Sequence, residues 1–556
     1  MSGNPAPARA LELSPLDAPE KLGDFTATRR MLPVALLAVA IGVASGYVAR
    51  ALIELINLFT NIFFFQKFSF TPSSPAAHHL GPLVIAVPVV GALLIGLIAR
   101  YGSERIRGHG IPEALEAILI RGSRVEPKLA ILKPISSAIS IGSGGPFGAE
   151  GPIIMTGGAV GSLVAQAFHL TNAERKTLLV AGAAGGMTAT FGSPLAAIML
   201  AIELLLFELK PRSVVPVALS CVAAATTRQF LFPPGALFQV PEHTAYVGLP
   251  QLLGCVFSGA VAGLIAIAMT GSVYLFEDLF QERLEKRLHW MWWPALAGIG
   301  IGVGGYFAPR ALGVGYESIA ELLQGALPLG ATLLLIAVKW GIWSFSLGSG
   351  TSGGVLAPLL MMGAGVGALE AGILPEASRG FWPLISMAAV FGGTMRSPIT
   401  AVMFALEVTH DYNALLPLVA AVIVAHSVTV LGLRRSILTE KVSRRGYHVT
   451  REYAIDPLEV LFVRDVMRVG AVAAETSGES PLVAFPDETL RTVTHRMAQH
   501  GKTEATVIEP GSAGPLLGSL TLSDVLGARR RHLEEETRRE RVLPLHALVF
   551  WKPARR

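Results

Sequence analysis

Cysteine and charge are both scarce in this chain. Only two of its 556 residues are cysteine, Cys221 and Cys255, each inside an apolar run. That excludes a disulfide framework and a Cys-rich metal site and leaves both as packing residues. Charged residues make up 15%, against about a quarter in soluble domains, while 52% are apolar and the mean hydropathy is +0.54. Disorder and an ordinary soluble enzyme are excluded. No HExxH or His/Asp metal cluster occurs in the apolar body, so the residues point to no enzyme and no cofactor. The net charge of +5 comes without a basic face interleaved with aromatics, which argues against nucleic acid; cations flanking membrane spans account for it.

Glycine and proline are abundant instead, 59 and 36 residues, above the roughly 7% and 5% of average chains. They interrupt the apolar segments, many of which are too short to cross a bilayer, so non-helical backbone is expected at membrane depth inside the protein. The first run, Met31 to Phe65, holds only Arg50 and Glu54 as ionisable residues. As a helix it would be about 52 Å long and would cross a hydrocarbon core of about 30 Å at a strong tilt. Charge shifts sharply near the end: 33 of the 85 charged residues lie from Lys441 onward. The expected organisation is a mobile cytoplasmic arm over 1–28, a membrane body over 29–450, a cytoplasmic domain over 451–545 and a tail over 546–556.

An internal repeat is visible. GSGGPFGAEGPIIMTGGAVG from residue 142 matches GSGTSGGVLAPLLMMGAGVG from residue 348 at a shift of 206, which also places Lys133 on Lys339. Ser193-Pro194 followed by Glu203 matches Ser397-Pro398 followed by Glu407 at a shift of 204. Two related halves, 80–235 and 290–435, are implied; transport proteins built this way usually run them antiparallel, with the site where broken helices meet. Three Gly-rich loops stand out: Gly108, His109, Gly110, Ile111, Pro112; Gly148, Ala149, Glu150, Gly151, Pro152; and Gly353, Gly354, Val355, Leu356, Ala357, Pro358. Each reads as a helix N-terminus, whose unpaired N–H groups and partial positive charge suit an anion. Glu150 is an ionisable residue at membrane depth and therefore a functional candidate, and its repeat mate is Leu356.

With these motifs, GHGIPEALEA, GSGGPFGAEGP, GSPLAAIMLAIE, GSGTSGGVLAP and SPITAVMFALE, the chain resembles the CLC family of chloride channels and proton-coupled chloride exchangers over about residues 30–450. The resemblance implies an all-α polytopic membrane protein of two inverted halves of broken helices, forming a homodimer with one pore per subunit. It makes chloride or another small monovalent anion the permeant ion, Glu150 the gate, and the three loops with Leu438 the anion-binding positions. Where the family usually carries Ser, this chain has His109, which raises an expectation of acid-enhanced conductance or altered selectivity. The exchangers' internal glutamate falls on Leu204, the coordinating tyrosine on Leu438 and the filter aromatic on Leu356. A passive channel is the main reading of those leucines, and a proton-coupled exchanger is the alternative. Lys133 and Lys339 are expected to pair with Glu203 and Glu407 or to cap helix ends, or else to raise the anion-attracting potential; the symmetric Glu203 and Glu407 read as scaffold. Location in a plasma or inner membrane, with both termini cytoplasmic, follows from the resemblance.

From about Val463 the pattern becomes a small α/β unit that resembles a CBS domain, present once, with Thr521 and Asp524 where nucleotide-binding members hold a ribose. A regulatory or assembly role is expected, with adenine nucleotide as a candidate ligand. Arg530 and Arg531, four residues before Glu534 and Glu535, read as a solvated helix with i,i+4 ion pairs.

Overall fold

The computed structural model describes residues 29–241, 243, 247–445, 458, 461–470, 482–510 and 515–537, with side chains through 531. The arm at 1–28 and the tail at 546–556 lie outside them. The chain divides into two compact units, one of Phe25–Arg451 and one containing Glu452–Arg556.

The larger unit is helical. Its first half comprises α1 Met31–Phe65, α2 Ala86–Tyr101, α3 Ile111–Leu119, α4 Pro127–Gly142, α5 Glu150–Gln166, α6 Asn172–Phe191, α7 Pro194–Leu200 and α8 Pro211–Leu231. Its second comprises α9 Leu249–Asp278, α10 Trp293–Phe307, α11 Tyr316–Leu323, α12 Leu329–Gly348, α13 Leu356–Glu370, α14 Phe381–Met395, α15 Pro398–Thr409, α16 Leu415–Gly432 and α17 Ile437–Arg444. Six helical stretches among the described residues are long and apolar enough to cross a membrane. The rest are shorter, and α5, α6, α13 and α14 are buried along most of their length. That burial satisfies the requirement that broken backbone at membrane depth be enclosed by protein.

The halves are inverted, and polar contacts show it. Glu203, in the π turn Ala201–Leu206 that continues α7, accepts the N–H groups of Ile399 at 3.1 Å and Thr400 at 2.9 Å and the Thr400 hydroxyl at 2.6 Å. Glu407, near the end of α15, accepts those of Leu195 at 2.9 Å and Ala196 at 2.8 Å. Each element thus reaches the start of the other with its own C-terminal end, so the two run antiparallel. The contacts also supply partners for first-turn N–H groups that neither Ser193 nor Ser397 caps with its side chain.

The smaller unit holds a four-stranded sheet of β1 Arg468–Val469, β2 Val483–Ala484, β3 Glu504–Ile508 and β4 Leu516–Thr521, in the order β1-β4-β3-β2. Strands β2 and β3 are parallel and joined through the helix Leu490–His500, and the other pairs are antiparallel. A second helix, Leu522–Thr537, follows β4. It contains Arg530 and Arg531, but the side chains of Glu534 and Glu535 lie outside the described residues.

Candidate functional site

The three loops meet in the interior of the larger unit. Gly148 and Gly354 exchange backbone hydrogen bonds, Gly148 N–H to Gly354 O at 3.2 Å and Gly354 N–H to Gly148 O at 2.9 Å, so repeat-matched loops pair antiparallel. The loop of α3 packs as tightly. Gly110 has φ +93°, and a Cβ there would lie 2.3 Å from the Gly151 carbonyl oxygen, while one on Gly151 would lie 1.8 Å from that of His109. Only glycine permits such backbone contact. Ile111, Pro112, Ala149, Pro152, Val355, Leu356 and Ala357 are all buried around this junction.

Glu150 opens α5 and is 1% exposed. Its carboxylate folds back between Gly148 and Gly354, where a Cβ on either glycine would come within 1.6 Å and 2.9 Å of Oε2 respectively. It lies against the amide groups of Glu150 and Ala357 at the starts of α5 and α13, and its Oε1 accepts from the Tyr316 hydroxyl at 3.3 Å. A negative group thus sits where two helix N-termini meet.

Two cavities approach this point. One, of about 660 Å³, is lined by Arg107, Gly108, Glu113, Lys441, Arg444 and Arg445 among others. The other, of about 400 Å³, is lined by Ala149, Thr190, Arg228, Gly315 and Tyr316 among others. Glu150 lines neither. The wall of the first cavity is tied together by ion pairs: Arg445 joins Glu113 at 3.3 Å and also Glu116, Lys441 joins Glu277 at 3.3 Å, and Arg444 joins Asp278. Glu113 in turn accepts the Gly110 N–H at 2.7 Å.

The remaining predicted positions distribute as follows. His109 is fully buried, and neither ring nitrogen has a hydrogen-bond partner among the described residues. Leu204 and Leu438 are fully buried and offer no polar side-chain atom. The expected pairing of Lys133 and Lys339 with Glu203 and Glu407 does not occur. Lys133 donates to the carbonyls of Ile106 at 2.7 Å and Gly108 at 2.9 Å, and Lys339 to those of Ala311 at 3.0 Å and Gly313 at 2.7 Å. Backbone carbonyls beside the loops win because the glutamates are spent on helix starts. In the smaller unit, Thr521 and Asp524 cap the helix that follows them: the Thr521 N–H and hydroxyl donate to Asp524 at 3.0 and 2.6 Å, and the Asp524 N–H donates back to Thr521 at 3.3 Å. Arg468 also donates to Asp524, at 2.9 Å. This explains the Thr/Asp pair without a ligand.

The lysine contacts expose a repeat that the sequence reading missed. At a shift of 205, Gly108, Gly110, Ile111 and Glu116 fall on Gly313, Gly315, Tyr316 and Glu321, and Ile106 and Gly108, held by Lys133, fall on Ala311 and Gly313, held by Lys339. The loop before α11 is therefore the counterpart of the loop before α3, and it delivers Tyr316 to Glu150. Two glycines and a glutamate at a register one residue off the main repeat were the available signal.

Comparison with known proteins places the chain in a family. A family described as voltage gated chloride channel matches residues 90–430. The H(+)/Cl(-) exchange transporter ClcA of Vibrio cholerae is 32% identical over 364 residues, 61% of this chain and 75% of that protein. A protein of Ralstonia nicotianae that bears a ClcB-like chloride-channel name is 27% identical over 353 residues, 62% and 81% of the two chains. Among solved structures, a slow cyanobacterial Cl-/H+ antiporter has a TM-score of 0.65 at 20% identity, covering 76% of this chain and 99% of that one. A CLC-type fluoride/proton antiporter has a TM-score of 0.61 at 20% identity, covering 73% and 97%. Exchanger names predominate among these relatives, which favours the exchanger alternative over the passive channel that the substituted leucines suggested. By fold, motif and site, the chain belongs to the CLC family of chloride transport proteins.

Proposed function

We propose that this protein exchanges chloride for protons, with Glu150 as the group both ions use. The observation that carries the proposal is the Glu150 carboxylate itself, buried between two cavities and lodged at the meeting helix N-termini. A carboxylate there stands in for the permeant anion. Protonation removes its charge and with it the attraction to the N-termini, so the side chain leaves and chloride takes its place; return of the carboxylate expels chloride and releases the proton. Alternate occupancy of one position couples the two movements. The backbone N–H groups of His109, Ile111, Val355, Leu356 and Ala357 receive the anion, with Leu438 on the inner approach and the buried imidazole of His109 offering one further donor. Leu204 carries no proton, so protons reach Glu150 through other groups or water.

The protein is read as a homodimer in a bacterial inner or plasma membrane with both termini in the cytoplasm. The smaller unit is read as a CBS-like regulatory or assembly domain. The test is the membrane potential at which net ion flow stops in reconstituted liposomes. For an exchanger it moves when the proton gradient is changed at constant chloride; a potential set by chloride alone contradicts the proposal.

A further inference from the structure

Tyr316 is the first residue of α11, delivered to the site by a loop that Lys339 holds through the Ala311 and Gly313 carbonyls. Its hydroxyl makes the one side-chain hydrogen bond to Glu150 found among the described residues, at 3.3 Å. The ring is held edge-on by Phe191, with centroids 6.4 Å apart, and by Phe238, at 6.0 Å. These contacts fix where the hydroxyl points without using it. The other charged groups facing the pair are Lys339, toward Glu150, and Arg228, toward Tyr316. Lys339 is engaged by its two carbonyls, and Arg228 donates to the Ala189 and Thr190 carbonyls at 2.6 and 2.9 Å. Residue 149, beside the gate, is alanine and offers no donor side chain.

We propose that Tyr316 is a positioning residue for the gate: its hydroxyl holds the Glu150 carboxylate in the pathway and must give it up for the gate to open. A phenol donates well to a carboxylate and less well to a carboxylic acid, so the contact favours the charged, closed form. The second cavity reaches Tyr316, so an anion entering from that side competes for the same donor. The corresponding residue of the other half, Ile111, has no hydroxyl; the latch exists on one side only. The inference rests on the reading of Glu150 as the gate.

The test is chloride efflux from liposomes between pH 4 and 8 for the wild type and Tyr316→Phe, each also in the Glu150→Gln background. Tyr316→Phe keeps the ring and its edge contacts. Loss of one long hydrogen bond to a charged group should raise the midpoint of acid-activated flux by about 0.5–1 pH unit, a roughly three- to tenfold gain at a pH well above both midpoints. Tyr316→Leu, which restores the apolar character of Ile111, should shift it the same way, so the test does not hang on one variant. In Glu150→Gln, Tyr316→Phe should not shift the pH dependence of flux. A Tyr316→Phe profile that overlays the wild type overturns the latch. An equal flux change in both backgrounds also overturns it, and assigns Tyr316 to the pathway wall. If Glu150→Gln alone keeps the wild-type pH profile, the gate reading fails first and the latch with it.

Discussion

Removing the Glu407 carboxylate should destabilise the membrane unit strongly while leaving ion coupling intact. Glu407 is 9% exposed and accepts two first-turn N–H groups of α7, at 2.9 and 2.8 Å. Hydrogen bonds to a charged group contribute about 1.5–3 kcal/mol each, and Glu407→Ala leaves both donors without an acceptor in apolar surroundings. Part of the loss is returned because a buried charge no longer has to be desolvated, so a net cost of about 2–4 kcal/mol is expected. Glu407→Gln keeps one carbonyl acceptor and should cost about half as much. Reversible unfolding in mixed micelles, followed by tryptophan fluorescence, measures both. Since Glu203 makes the reciprocal contact on the same antiparallel pair, Glu203→Ala combined with Glu407→Ala should cost less than the sum of the two. A Glu407→Ala protein within about 0.5 kcal/mol of wild type, or strict additivity in the double variant, would refute the idea that the two halves cap each other.

Other outcomes follow from the same contacts. Gly148→Ala puts a methyl group where Glu150 Oε2 rests, 1.6 Å away, so the gate cannot close as it does now; chloride flux at pH 7 should rise and lose much of its pH dependence, whereas a wild-type profile would count against the resting position described. Lys133→Met strands the Ile106 and Gly108 carbonyls and should cost about 2 kcal/mol of stability, readable in the same unfolding assay. In the smaller unit, burial alone would raise the Asp524 carboxyl, but hydrogen bonds from Thr521 and Arg468 outweigh it and hold it below its ordinary 3.8. A depressed carboxyl stabilises the fold above its unfolded value and loses that contribution as pH falls through the lower folded value. Asp524→Asn should therefore flatten the acid limb of that unit's unfolding below about pH 4, by a small amount because its Arg468 partner is exposed.

Much of the architecture was legible because glycine and proline leave marks at fixed offsets. The 206-residue shift that aligns Glu150 with Leu356 also brings Gly148 onto Gly354, and those two residues bond to each other. The apolar stretch at 398–408 appears as α15, Pro398–Thr409, and that at 381–394 as α14, Phe381–Met395. What the sequence could not disclose was the choice of backbone partners. A buried lysine and a symmetric glutamate look like an ion pair on paper, yet carbonyls and first-turn N–H groups outbid them, and such groups are carried by every residue. Tyr316 escaped notice for a related reason: α11 is eight residues long, too short for an apolar run, and its loop matches the α3 loop in little beyond glycine. Nothing in AIELLL distinguishes the π turn at Ala201–Leu206 from plain helix.

The central claim is that chloride and protons take turns at Glu150. It is tested most directly by a proton electrode on chloride-loaded liposomes containing either wild type or Glu150→Ala. With wild type, chloride flowing down its gradient should drive protons uphill; with Glu150→Ala, chloride should still flow and proton movement should cease. Uphill proton movement that survives Glu150→Ala, or wild-type chloride flow with no proton movement, would contradict the account.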